Sequence, residues 1–249
     1  MDFLSILGVC IAFAAIITGN ILEGGDLAAL ANGPAALVVF GGTLGAIILQ
    51  TPYKVLVRGF SLLSWMVFPP RVSSDGQLKK ILALSHTARK DGLLGLENQA
   101  DREKDRLLKK GLRLLTDGYE PDRLRHRLQE HIVKLEQRDF RAAGIFDHMG
   151  GYAPTIGIIG AVMGLIHVMG NLDQPEMVGS GIATAFVATI YGVGLANLIL
   201  YPIAGKLREL ISDSISAQLL LVEGLVAIAE GEHPKEIESR LKSLAGIAK

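Results

Sequence analysis

GGYAPTIGIIGAVMGLIHVMG, running from Gly150 to Gly170, decides the architecture of this chain. It holds no Asp, Glu, Lys or Arg. At about 1.5 Å of rise per residue it is long enough, as a helix, to cross a hydrocarbon core of roughly 30 Å. Phe3 to Leu22, Pro34 to Thr51 and Ser180 to Pro202 share this character, the second extending towards Tyr53. The expected fold is therefore all-α: a polytopic membrane protein with four transmembrane helices and a helical cytoplasmic domain. The 49% hydrophobic content and the mean hydropathy of +0.37 agree, since soluble globules are more polar. The first stretch lacks a basic n-region and is too long for a signal-peptide core, so it reads as a retained helix. Leu56 to Phe68 contains Arg58 and ends at Pro69-Pro70, which makes it an interfacial segment rather than a fifth span.

Charge orients the spans. Of the 25 basic residues, 19 lie between Pro52 and Met149 and 6 between Ile203 and Lys249. The short connections, Glu23 to Gly33 and Asn171 to Gly179, have none. Lys54, Arg58, Arg138, Arg141, Lys206 and Arg208 flank span ends on one side, which is read as cytoplasmic. The organisation expected is a transmembrane hairpin over 1–52, a cytoplasmic helical domain over 53–149, a second hairpin over 150–202 and a cytoplasmic helical tail over 203–249. Formal net charge is zero, which excludes a globally basic nucleic-acid binder and leaves membrane lipid as the surrounding medium. Cys10 falls within an apolar run and is expected to be a buried, inert residue.

Within the cytoplasmic part, Ile81, Leu84, Ser85 and Ala88 recur near helical spacing, as do Leu107, Leu108, Gly111, Leu112 and Leu115. A third amphipathic helix starts at Pro121, with Leu124, Leu128, Ile132 and Leu135 on one face, and is placed to run on into the third span. The tail continues the fourth span to about Glu230, where Gly231 and Pro234 break it before a last short helix. Asp101 and Asp105 lack the glycine and glutamate of a calcium loop and read as a solvated face.

The spans carry no Asp, Glu, Lys or Arg, which are among the usual bearers of proton relays and ion sites in membranes. They do carry small residues at packing intervals, Gly41 with Gly45, Gly160 with Gly164, and Gly192 beside Gly194, which imply close helix contact within or between chains. Pro154 is read either as a first-turn proline or as a functional one, and Pro202 either as a helix end or as a functional residue. His167 and Ser180 raise the idea of an intramembrane serine hydrolase, but no Gly-x-Ser-x-Gly elbow and no orienting acid accompany them. A metal site has no second ligand beside the membrane histidine. No enzyme, cofactor or metal is expected.

The run Ala153-Pro154-Thr155-Ile156-Gly157-Ile158-Ile159-Gly160-Ala161-Val162-Met163-Gly164-Leu165-Ile166-His167 closely resembles the third span of the MotA/PomA family, the larger subunit of the bacterial flagellar stator. Ala188-Thr189-Ile190-Tyr191-Gly192, the Tyr201-Pro202-Ile203 exit, and Arg89-Lys90-Asp91-Gly92-Leu93-Leu94-Gly95-Leu96-Glu97 extend the resemblance over most of the chain. It implies an inner-membrane, multi-pass subunit, five copies of which surround a dimer of a single-span B subunit whose transmembrane aspartate carries the ion. It further implies that Pro154 and Pro202 lie by the ion path, that Thr189 neighbours the partner's carboxylate, and that Arg89 and Glu97 engage the rotor protein FliG. Without the resemblance, Arg89 and Glu97 are an exposed ion pair worth under about 1 kcal/mol. Thr155-Ile156 departs from the family, where a small residue and Phe or Met are common. Sodium-driven members carry a threonine where this chain has Ala161, so protons are the expected ion. The rivals are an energiser of the ExbB/TolQ kind, for which three spans and an outward N-terminus are expected, and a membrane scaffold without ion flux.

Overall fold

The computed structural model describes residues 3–25, 27–70, 74–173 and 175–246. They form helices and turns, with no strand among them. Two compact units emerge. The first contains the chain up to Pro69 together with Asp139–Glu209, and the second Pro70–Arg138 with Leu210–Lys249.

In the first unit, α1 spans Phe3–Leu22. The second apolar stretch begins at Asn32, whose side chain accepts from the Ala35 N–H and caps α2, Gly33–Ala36, with Pro34 in the first turn where its missing N–H costs nothing. A π-helical turn, Leu37–Gly41, leads into α3, Gly42–Gln50. After Pro52 comes α4, Tyr53–Val67, too short to cross a bilayer at about 1.5 Å per residue. The third stretch belongs to α8, Pro121–Met169, one helix of 49 residues that starts at the expected proline and runs on through the expected span. The fourth is α9, Pro175–Leu195, followed by a π-helical turn Ala196–Leu200 and α10, Tyr201–Ala229. Among the described residues, Leu27–Gln50, Pro121–Met169 and Val178–Ala229 are long and apolar enough to cross a membrane, and Leu7–Leu22 is a shorter apolar helix.

Three readings of single residues change. Pro154 is not a first-turn residue but lies deep inside α8, because the helix begins far upstream at Pro121. Pro202 does not end the fourth stretch: Tyr201 donates to the Ala196 carbonyl five residues back, and this wider turn lets the helix pass a residue without an N–H. Cys10 is exposed on the chain rather than buried, since almost every described residue of α1 is exposed.

α8 and α9 approach closely. A Cβ at Gly157 would lie 2.8 Å from the Ala188 carbonyl oxygen, and one at Gly192 only 2.5 Å from that of Ala153. Gly160 and Gly164 serve the same contact, against Ala188 and Ala185. Gly45 and Gly194 meet nothing within 4 Å, and Gly41 meets only Leu37 of its own helix. α4 rests on α8 through Arg58, which donates to both oxygens of buried Asp139 at 2.9 and 2.8 Å, and through Phe60, edge-on to Phe146.

In the second unit, α5, Ser74–Asp91, buries Leu78, Ile81, Leu84 and Ser85. α6 covers Glu97–Arg102 and α7 Arg106–Thr116, where Asp105 caps the helix by accepting from Leu107 and Leu108. Leu107, Leu108, Gly111, Leu112 and Leu115 are all buried, with Leu124, Leu128 and Ile132 of α8. Asp101 pairs with Arg113 at 3.1 Å. Gly231, at φ +76°, turns the chain into α11, Pro234–Leu244, which opens with a capping box between His233 and Glu236.

Candidate functional site

Pro154 and Ala161 are seven residues apart on α8, two turns along one face. Gly157 lies between them, and its missing Cβ brings the Thr189 Cα of α9 to 3.5 Å of where that atom would be. Gly192, one turn further along α9, sits 3.1 Å by the same measure from Pro154 Cα. The fold thus gathers Pro154, Ala161 and Thr189 along one helix–helix seam. Pro202 stands apart on α10, though its neighbour Tyr201 rests its ring on Gly150, one turn along α8 from Pro154.

The chemistry of this seam is narrow. Thr189 donates its hydroxyl to the Ala185 carbonyl at 3.3 Å, which leaves its oxygen lone pairs free to accept. Three other span side chains also donate to their own helices: Thr43 to Val39, Thr155 to Tyr152 and Asn197 to Val193. No carboxylate or amine exists in Gly150–Gly170 or Ser180–Pro202. The seam can solvate a proton carrier but supplies none.

His167 and Ser180 line one cavity of about 350 Å³, together with Thr184, Pro34 and Gly164. No acid lines it, so the groups of a hydrolase are incomplete there. Along α8 His167 lies on the face of Tyr152, Ile156 and Met163, turned away from Pro154 and Ala161. Among the described residues no three His, Cys, Asp or Glu side chains gather as for a metal.

Arg89, in the last turn of α5, and Glu97, in the first turn of α6, are both exposed. They are not paired with each other; the 3₁₀ turn Leu93–Leu96 intervenes, burying Leu96 and leaving Leu94 73% exposed between them. What the sequence reading missed is polar and long-range. Tyr191 donates to the Leu30 carbonyl and accepts from the Asn32 N–H at 3.2 Å, while Asn32 Nδ2 donates to Thr184 at 2.8 Å. The Asn-Gly-Pro cap signature was a legible hint to Asn32; nothing local pointed to its partners. In the second unit Arg125 pairs with Glu223, and Arg240 with Glu223 and Glu230 at 3.2 Å and Glu232 at 2.6 Å.

Two family models match the chain: motility protein A N-terminal over residues 6–92, and the MotA/TolQ/ExbB proton channel family over residues 99–218. Motility protein A of Bacillus subtilis is 32% identical over 97% of this chain and 90% of its own length. The chain belongs to the motility protein A family. Its structure is similar to that of the C. jejuni MotAB structure, with a TM-score of 0.92, 28% identity, and coverage of 98% of this chain and 96% of that one. It is also similar to the flagellar MotAB stator complex of Bacillus subtilis, with a TM-score of 0.86, 32% identity, and coverage of 96% and 95%.

Proposed function

We propose that this chain is the A subunit of a proton-driven bacterial flagellar stator. Four helices, the fourth being α1, hold it in the inner membrane, with both termini and residues 53–149 in the cytoplasm. Ions pass beside the seam of Pro154, Ala161 and Thr189, and Pro202 couples their passage to movement. The observation that carries this reading is the acid-free, glycine-packed seam of α8 and α9 in a chain that is 32% identical to the motility protein A of Bacillus subtilis over 97% of its length. A seam without a carboxylate needs one from a neighbour, and a single-span B subunit of the MotB kind supplies it, as the likeness to two MotAB structures supports. Five copies around a B dimer, with Arg89 and Glu97 facing FliG, complete the reading. An energiser of the ExbB/TolQ kind is not favoured, because the N-terminal model and relatives from Bacillus subtilis and Helicobacter pylori are those of motility protein A. Ala161 has no side-chain oxygen to offer a sodium ion, which favours protons over sodium.

The test is swimming of cells that depend on this chain and its partner, first with sodium removed and then with a protonophore added. Motility is expected to persist in the first condition and stop in the second. Loss on sodium removal overturns the proton assignment, and a null strain that swims normally under every load removes the stator role.

A further inference from the structure

Along α8, Gly150, Gly157 and Gly164 recur every seven residues and are buried, while Asp147, Pro154 and Ala161, each three residues earlier, recur at the same interval and are half-buried. Seven residues make two turns, so both sets run along one side of the helix. The glycines form a floor: Gly157 and Gly164 meet α9, and Gly150 meets the Tyr201 ring of α10. Pro154 and Ala161 form the rim of that floor, and Asp147 is its next member. It is the first carboxylate on the rim, since Gly150–Gly170 holds none. Arg208 stands across from it, seven residues after Tyr201 and so on the same face of α10, and its guanidinium donates to Oδ2 of Asp147. Among the described residues nothing bonds to Oδ1. The two carboxylates on α8 nearest the apolar stretch therefore differ. Asp139 has both oxygens taken by Arg58 and a side chain only 10% exposed, which makes it a staple. Asp147 has one oxygen open and a side chain 27% exposed, beside an arginine that is 46% exposed. Pairs this open add little to stability.

We propose that Asp147 is the proton acceptor at the inner end of the seam, with Arg208 as the positioning residue that turns Oδ1 towards the rim; this rests on the stator reading above. Seven residues of rise, about 10 Å, separate Asp147 from Pro154, so water carries the proton between them. The O–H bond of the B subunit's carboxylic acid breaks, an O–H bond forms at Oδ1 of Asp147, and the proton then passes to water on the cytoplasmic side. Both carboxylates return to their starting state, and no other reactant is consumed.

The test uses the full stator complex, read as proton flux in vesicles and, in cells, as rotation speed near zero load and torque at stall, with co-purification of the B subunit as the measure of assembly. Speed without load follows the rate of proton transfer, whereas torque at stall follows the driving force. Asp147→Asn keeps the shape and an acceptor for Arg208 but cannot take up the proton. It is expected to lower flux and unloaded speed about tenfold or more, with assembly and stall torque retained. Asp147→Glu should restore most of the flux. Arg208→Gln should cost less than Asp147→Asn, Arg208→Lys should recover part of that loss, and Arg208→Gln should add nothing in a chain that already carries Asp147→Asn. Wild-type flux in Asp147→Asn overturns the proposal. So does an Arg208→Gln as impaired as Asp147→Asn with stall torque falling beside speed, which is the mark of a purely structural pair. Loss of assembly in Asp147→Asn makes the carboxylate a structural group and overturns it too. Absence of flux and motility with the unaltered chain and its partner removes the stator reading itself.

Discussion

Pro154 has no N–H to offer the Gly150 carbonyl, yet α8 continues through it. Inside a membrane a freed carbonyl is costly unless something satisfies it, so a proline within an apolar stretch marks a place where neighbouring side chains or water must do so. From sequence, the same residue fitted a first turn equally well; only the length of α8 separates the readings. His131, also on α8, makes a prediction at this scale. Burial, and then the charges of Lys110, Arg138 and Lys134, hold its imidazole below the ordinary value of 6.5. The unfolded chain therefore takes up this proton first. The stability His131 contributes is complete above pH 6.5 and is lost as pH falls from there towards its lower folded value. His131→Gln is expected to flatten this part of the acid loss in thermal unfolding of the detergent-purified protein. Identical slopes in the two proteins would show that His131 does not titrate between the states.

At the scale of elements, the contact of α8 with α9 rests on backbone approaching backbone. Gly192→Ala would push a Cβ to 2.5 Å from the Ala153 carbonyl oxygen, an atom that cannot rotate away. Such overpacking costs about 1–3 kcal/mol. Gly194→Ala, two residues on and open to 4 Å, is expected to be neutral or to gain up to about 1 kcal/mol from lost backbone entropy in the unfolded chain. Melting temperatures of the two variants check this, and equal values would refute the seam. The sequence showed that both glycines are small residues at packing intervals but not which one is used, because that depends on the crossing point of two helices. Elements with a strong period were legible: all five residues foreseen on the face of α7 are buried, and α8 starts at Pro121. The π turns at Leu37–Gly41 and Ala196–Leu200 were not, since nothing in an apolar run distinguishes a bond five residues back from one four back.

For the molecule as a whole, the lack of any carboxylate, lysine or arginine in Gly150–Gly170 and Ser180–Pro202 has a direct consequence. Vesicles containing this chain alone should show no proton flux above background, and flux should appear when the B subunit, freed of whatever closes its channel, is present with its acid. Flux through the chain by itself would end the division of labour proposed here. The sequence by itself determined the all-α membrane architecture and the siting of every basic residue outside the apolar stretches. Hydrocarbon tolerates neither unpaired backbone nor unpaired charge, so this constraint is written residue by residue. Only the tertiary structure decided that Thr189 lies beside the Pro154–Ala161 face, and that Arg89 and Glu232, far apart in the chain, border one cavity of the second unit. Those pairings depend on how the surfaces of helices far apart in the chain fit together, and neither hydropathy nor spacing encodes that fit.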